Sequence, residues 1–455
     1  MDPLKTFEIG PAQRRELSGW CALAIGALAI AGVFALLLAL SRTPGVQDMV
    51  PWPLEFFRKA LVIHVIFAFV IWFLAVFGAG LHLAVWQIAR DRPQIEFAGR
   101  FGLLAVAVAC VLLFVPALLD RGEPTLNNYI PAIIDPVYYL GLGVLAVGLA
   151  LPVFRLLVTP FGRPMDTFTI GVACAAATFL LALICFGLAL NELAGEPPSY
   201  AFNEELFWGG GHMLQFLSTL LLIGAWSVLA RIGLGEDIAP RYVVLGAMIF
   251  LVICALPAPF LYFAYPPFSA EQTSAFSGLL WALGPPTLVL AVFAGRTILR
   301  RRNSGALPWS DPAFLCLVLS IVVFGVGGVL GMFIDGTDTR TPAHYHGVIA
   351  GVTLAFMGLF FTLFLPLLGR TPKGGRAIRF LVWAFAGGQT LASLGLFLAG
   401  GYGVPRKVAG DAQGLEEMGA IVGMAMNGVG ALVAVVGGVM FIWICGRALL
   451  SAVDG

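Results

Sequence analysis

The chain has 455 residues, of which 60% are apolar and 11% charged, with a mean hydropathy of +0.94. A soluble domain carries about 25% charged residues, so a soluble multidomain protein, a disordered chain and a collagen-like repeat are excluded. The 26 basic and 25 acidic residues leave a formal charge of +1 with no basic block, which excludes a nucleic-acid binder. What remains is an all-α polytopic membrane protein.

A membrane helix needs about 20 mostly apolar residues. Runs of that kind predict twelve spans, at 18–42, 56–89, 99–119, 130–154, 167–191, 205–230, 242–265, 274–298, 309–333, 343–369, 377–402 and 418–446. Spans 2 and 12 are longer than the bilayer requires and are expected to tilt or protrude. No run alternates with period two, so an outer-membrane barrel is excluded. Residues 1–17 form a charged tail without an A-x-A cleavage site, so the first run reads as a retained span.

Basic residues set the orientation. With the N-terminus inside, 19 of the 26 fall on the inner side, among them Lys5, Arg90, Arg92 and Lys373. The outer side holds seven: Arg42, Arg58, Lys59, Arg121, Arg340, Arg406 and Lys407. Both termini are therefore expected to be cytoplasmic, in a bacterial inner membrane. No loop is long enough for a soluble domain, so residues 1–455 are expected to form one transmembrane domain. The seven cysteines all lie in apolar runs without a C-x-x-C and read as small core residues.

Only five histidines occur: His64, His82, His212, His344 and His346. On helices rising 1.5 Å per residue, all but His82 are expected within roughly 12–15 Å of the outer surface, on three spans running in one direction. A polar ring in the bilayer is costly and points to a functional site. In the run His344-Tyr345-His346 the rings are about 200° apart around a helix, so they suit two groups flanking it rather than one metal ion. Heme iron accepts axial imidazoles from separate helices. His82 lies about 27 Å from His64 along span 2 and is read as structural. The Gly209-Gly210-Gly211 run before His212 fits either a bulky planar group or close helix packing. Two readings stay open here: heme ligation, or rings bonded to carbonyls in the core of a twelve-span transporter. Transporters usually carry repeats and a charged midplane site, and neither is visible.

These residues resemble the large subunit, subunit I, of the heme-copper oxidase superfamily, which includes the nitric oxide reductases. Val62-Ile63-His64 looks like the family's low-spin heme ligand. Leu206-Phe207-Trp208 through Gly211-His212 is similar to its L-F-W-x-x-G-H, and Ala343-His344-Tyr345-His346 to its A-H-x-H. The resemblance implies two non-covalent hemes. His64 and His346 would hold the low-spin heme, His344 the high-spin heme that binds O2 or NO, and Arg406 and Lys407, in Gly403-Val404-Pro405-Arg406-Lys407, the propionates. It also implies an oxidoreductase of electron transport served by a cytochrome c or cupredoxin-like subunit. The family's copper, however, takes a histidine pair from the outer end of span 7, where this chain has Ala264-Tyr265-Pro266-Pro267-Phe268. The family's cross-linked tyrosine is Phe216 here. The second-metal site at His212 is therefore expected to be partial or vestigial, with Tyr262 and Tyr265 as candidate catalytic hydrogen donors. Glu204 and Glu205 are either acidic groups near His212 or a solvated helix end. The inner halves of the spans show no Asp, Glu or Lys relay, so proton pumping is not expected. The same fold also suits a heme protein for electron transfer or gas sensing.

Overall fold

The computed structural model describes residues 9–46, 54–89, 95–160, 162–334, 336–372 and 374–451. Residues 1–8 of the tail, and Arg90, Arg92 and Lys373 of the charge asymmetry, lie outside the described residues. Among those described, twelve helices are long and apolar enough to cross a membrane. They are Ala12–Arg42, Phe57–Ala89, Glu96–Leu118, Pro136–Val158, Thr167–Glu192, Tyr200–Leu234, Arg241–Ala264, Ala270–Ser304, Pro312–Gly331, Arg340–Leu367, Gly375–Gly401 and Met418–Leu450, named spans 1 to 12 below. The one sheet among the described residues is a hairpin between spans 3 and 4, β1 (Glu123–Thr125) pairing antiparallel with β2 (Ala132–Ile134). Asp135 closes it by accepting from the Val137 amide at the start of span 4, an N-cap followed by proline at the first helical position.

The chain divides into two compact units. One comprises Met1–Ala24 and Val70–Leu307, the other Ile25–Phe69 and Pro308–Gly455.

In the first unit the backbones approach on small residues, as packing without a hydrophobic drive requires. A Cβ on Gly102 of span 3 would fall 2.6 Å from the Gly148 carbonyl of span 4, and one on Gly78 would fall 2.5 Å from the Trp20 ring. Span 6 is enclosed over 94% of its most apolar stretch and span 8 over 22%, so span 6 forms the interior and span 8 the periphery. Span 1 begins inside the expected tail, and Glu16 is buried there. Its carboxylate accepts from Arg155 Nη1 at 2.9 and 3.1 Å and lies 3.0 Å from His82 Nδ1, with His82 and Arg155 also buried. Gly99 of span 3 lies against both Glu16 and Arg155. Four spans thus meet on one ion-paired cluster, which needs no place in a relay to account for His82.

In the second unit spans 9 and 10 touch at Gly327 and Gly347, where a Cβ on Gly347 would lie 2.5 Å from the Gly327 Cα. Spans 11 and 12 do the same along Gly388, Gly395, Gly423 and Gly430. Among the described residues two helices contain a π-helical turn, Ile66–Ile71 in span 2 and Phe360–Phe364 in span 10. Phe360 and Phe361 of the second turn stack edge-on against Phe441 of span 12, with ring centroids 5.7 and 5.4 Å away.

Candidate functional site

The second unit gathers three histidines. His64, on the turn before the first π segment, directs Nδ1 to the Ala31 carbonyl of span 1 at 3.1 Å. His344, in the first turns of span 10, directs Nδ1 to the Gly327 carbonyl of span 9 at 2.8 Å. A carbonyl only accepts, so in both rings Nδ1 carries the proton and Nε2 keeps its lone pair. No described group hydrogen-bonds either Nε2. Anchoring one ring nitrogen on a carbonyl is how proteins fix a ligating imidazole's tautomer and orientation. His346 hydrogen-bonds the Gln389 side chain of span 11 and is close enough to His64 for the two to interact electrostatically. The rings of His344 and His346 therefore face different neighbouring helices. All three histidines are half-buried. Gly331 makes room for one of them, since a Cβ there would lie 2.4 Å from His344 Nδ1.

Cations surround this group. Arg42, at the end of span 1, interacts with Tyr345 and His346, and its Nε and Nη2 are buried with no hydrogen-bond partner among the described residues. A desolvated guanidinium with unmatched donors is costly, so the site suits an anionic or carbonyl-bearing group there. Sequence reading placed Arg42 only among the outer charges, because nothing local marks it as buried. Arg406 also interacts with Tyr345. The loop bearing Arg406 and Lys407 is held by the segment before span 10. Thr339 N donates to Val404 O at 3.0 Å, Arg406 N to Thr337 O at 3.1 Å, and Asp338 bridges to Pro405. Lys407 sits at φ +64, a left-handed conformation uncommon for a residue with a side chain and a sign of local constraint. Asp338 receives the Arg340 amide and guanidinium at 2.6–3.0 Å. Burial pushes the Asp338 carboxyl up, but the Arg340 hydrogen bonds and the Arg340 and Arg406 charges outweigh it and hold the group below its ordinary value. Half-open imidazoles with free Nε2 atoms, ringed by cations, form a donor set that fits heme.

His212, in the first unit, is built differently. It is fully buried in span 6. Its Nδ1 meets the Trp208 carbonyl one turn earlier at 2.6 Å, and its Nε2 meets the Tyr129 hydroxyl at 3.0 Å. The Tyr129, Trp208 and Phe276 rings surround the imidazole with centroids 4.5, 5.1 and 5.8 Å away. The three glycines before it are filled by aromatic rings of the chain itself. A Cβ on Gly209 would strike Tyr262 and Phe276, one on Gly210 Phe186, and one on Gly211 Tyr129. The close-packing reading of that run therefore holds. Glu204 accepts from the Asn128 amide and side chain, so it secures the Tyr129 loop, and Glu205 is buried rather than part of a solvated end. Among the expected hydrogen donors, Tyr262 is buried with its hydroxyl against Gly209, while Tyr265 is half-buried beyond the end of span 7. Neither bonds His212. Tyr129 does, and sequence reading missed it: a loop tyrosine 83 residues from its histidine leaves no local pattern. Among the described residues no group of three or more His, Cys, Asp or Glu side chains is placed to hold a metal ion.

The family model for cytochrome c and quinol oxidase polypeptide I matches residues 19–440. An uncharacterized protein of Rickettsia prowazekii is 27% identical over 95% of both chains. An uncharacterized protein of Aquifex aeolicus is 30% identical over 80% of this chain and 88% of its own. Cytochrome c oxidase subunit 1 of Thermus thermophilus is 28% identical over 62% of this chain and 53% of its own length. Among solved structures, a chain of a heme-copper terminal oxidase dimer superposes with a TM-score of 0.82 at 14% identity, covering 98% of this chain and 86% of that one.

Proposed function

Since the chain belongs to the cytochrome c and quinol oxidase polypeptide I family, we propose that it is a heme-carrying membrane oxidoreductase subunit. In this reading His64 and His346 clamp a low-spin heme, and His344 holds a high-spin heme whose open side takes O2 or NO. The observation that carries it is the shared geometry of His64 and His344, each with Nδ1 donated to a carbonyl and Nε2 left for a ligand. Bound hemes would supply one-electron transfer and gas binding. The protein's own part is to fix the ring tautomers, to meet carboxylates with Arg406, Lys407 and the unmatched donors of Arg42, and to surround the groups with apolar helices. The electron donor is then a separate cytochrome c or cupredoxin-like subunit. The chain works as one transmembrane domain of a bacterial inner membrane, with its termini cytoplasmic.

The enclosure of His212 favours a second reading within the same fold, a heme protein for electron transfer or gas sensing without full oxidase chemistry. The test is an absorption spectrum and heme assay of the purified protein. Two hemes per chain, with the low-spin signal lost in His64→Ala and His346→Ala but kept in His82→Ala, is the expected result. The absence of a Soret band in freshly extracted protein would end the heme reading.

A further inference from the structure

The family implies a metal at the span 6 histidine, and the residues present do not fit one. We infer that His212 ligates no metal in this protein, and that a phenol–imidazole pair, Tyr129 with His212, occupies the position instead. The Trp208 carbonyl 2.6 Å from Nδ1 can only accept, so that nitrogen carries the ring's proton. The one lone pair left is on Nε2, and the Tyr129 hydroxyl, 3.0 Å away, donates into it. Both nitrogens are then committed to protein partners. A metal would have to displace the phenol, and the phenol is not a loose side chain.

Tyr129 sits at φ +61, and its Cβ and Cγ lie 2.5 and 2.7 Å from where a Gly211 Cβ would be, so its ring is pressed onto the helix backbone. The residues beside it are tied down. Asn128 donates twice to Glu204, Asn127 donates to the Ile130 carbonyl, and the Pro131 carbonyl accepts from the Tyr138 hydroxyl at 2.9 Å. The β1–β2 hairpin closes the loop on both sides. Nor, among the described residues, are there His, Cys, Asp or Glu side chains to complete a coordination sphere. Stable sites for copper, zinc or non-heme iron draw on three or more nitrogen, sulfur or oxygen ligands in defined geometry. Around this imidazole the partners are Trp208, Tyr129 and Phe276. The glycine run that admits Tyr129 belongs to the same design: Gly211 is the one position on span 6 whose missing side chain lets the phenol reach Nε2.

This inference does not depend on the heme reading, because heme iron and His212-bound metal are measured separately. Purified full-length protein, as isolated and after incubation with Cu(I) or Cu(II) followed by washing, is assayed for copper, zinc and non-heme iron beside a His212→Asn variant. The expected result is far less than one such metal per chain, unchanged by the substitution. Metal that persists in His212→Asn sits elsewhere and supports the inference equally. One metal per chain that disappears in His212→Asn would overturn it. A second measurement needs no metal at all. In protein labelled with 15N-histidine, His212 should show an Nδ1-protonated neutral ring whose Nε2 resonance moves in Tyr129→Phe while those of His64 and His344 stay. An Nε2 signal indifferent to the loss of the hydroxyl would also overturn the assignment. Should Tyr129→Phe fail to fold, the wild-type tautomer and metal content still decide the matter.

Discussion

The histidines of the two units differ in what is left of them after the protein has taken its share. In the second unit His64 and His344 give one nitrogen to a carbonyl and keep the other, and with His346 they stand half-open. In the first unit His212 and His82 are closed in, with accessibilities of 0% and 2%. His212 spends both nitrogens on the protein, and His82 lies against a carboxylate that Arg155 also holds. Depth in a membrane span does not make an imidazole a ligand. What does is a second nitrogen with a lone pair and room in front of it.

The sharpest way to break this contrast is to remove the histidines one at a time. His64→Ala or His346→Ala should abolish the low-spin heme signal, whereas His82→Ala and His212→Ala should leave it, read by absorption and electron paramagnetic resonance. Equal loss from all four would show that the two units do not divide the work. A large effect without loss of heme is expected at the ion-paired cluster. Arg155→Met leaves the Glu16 carboxylate buried beside His82 alone and should cost about 3–5 kcal/mol, seen as a lowered detergent unfolding midpoint with an unchanged spectrum. Gly211→Ala inserts a methyl group where Tyr129 packs and should cost about 1–3 kcal/mol. Gly331→Ala, its counterpart in the second unit, should perturb the high-spin heme spectrum as well, because the new methyl meets the His344 ring. Tyr129→Phe removes one hydrogen bond to a buried ring and should cost about 1–3 kcal/mol, toward the lower end, with heme content intact.

The smallest expected effect is on acid stability. Asp338 is held below its ordinary value, so its pairing contributes stability above the unfolded carboxylate value and loses it as pH falls through the lowered folded value. Asp338→Asn should flatten that acid limb, measured by unfolding midpoints from neutral pH downward. An unchanged limb would mean that the Arg340 contact adds nothing to the tether.

The fold was legible because its signal is local. About 20 apolar residues between charged clusters mark a span wherever they stand, and all twelve runs became helices. Their ends were less so: span 8 begins at Ala270 and span 1 extends into the charged tail, because a capping serine or a buried ion pair sets a helix end independently of hydropathy. That the rings of His344 and His346 diverge was legible from their spacing, and they do reach different helices. The unmatched donors of Arg42, the Glu16–Arg155 pair 139 residues apart and the Tyr129–His212 bond could not. Each joins residues that only tertiary packing makes neighbours, and none has a pattern along the chain.

The π-helical turn Phe360–Phe364 gives span 10 two registers. A π turn accommodates one residue more than the α-helix around it, and one residue corresponds to about 100° of rotation. The turn takes up that residue while the α-helix before it, which carries His344 and His346, and the helix after it keep their directions, with Phe360 and Phe361 at its start seated on Phe441. Deleting one residue of the turn would restore a continuous α-helix at the loss of an aromatic contact and leave the imidazoles where they are. Deleting one residue between His346 and Phe360 would instead turn both imidazoles about 100° relative to the phenylalanines, off Gly327 and Gln389. A one-residue gap is therefore absorbed at the turn and heavier than most substitutions before it.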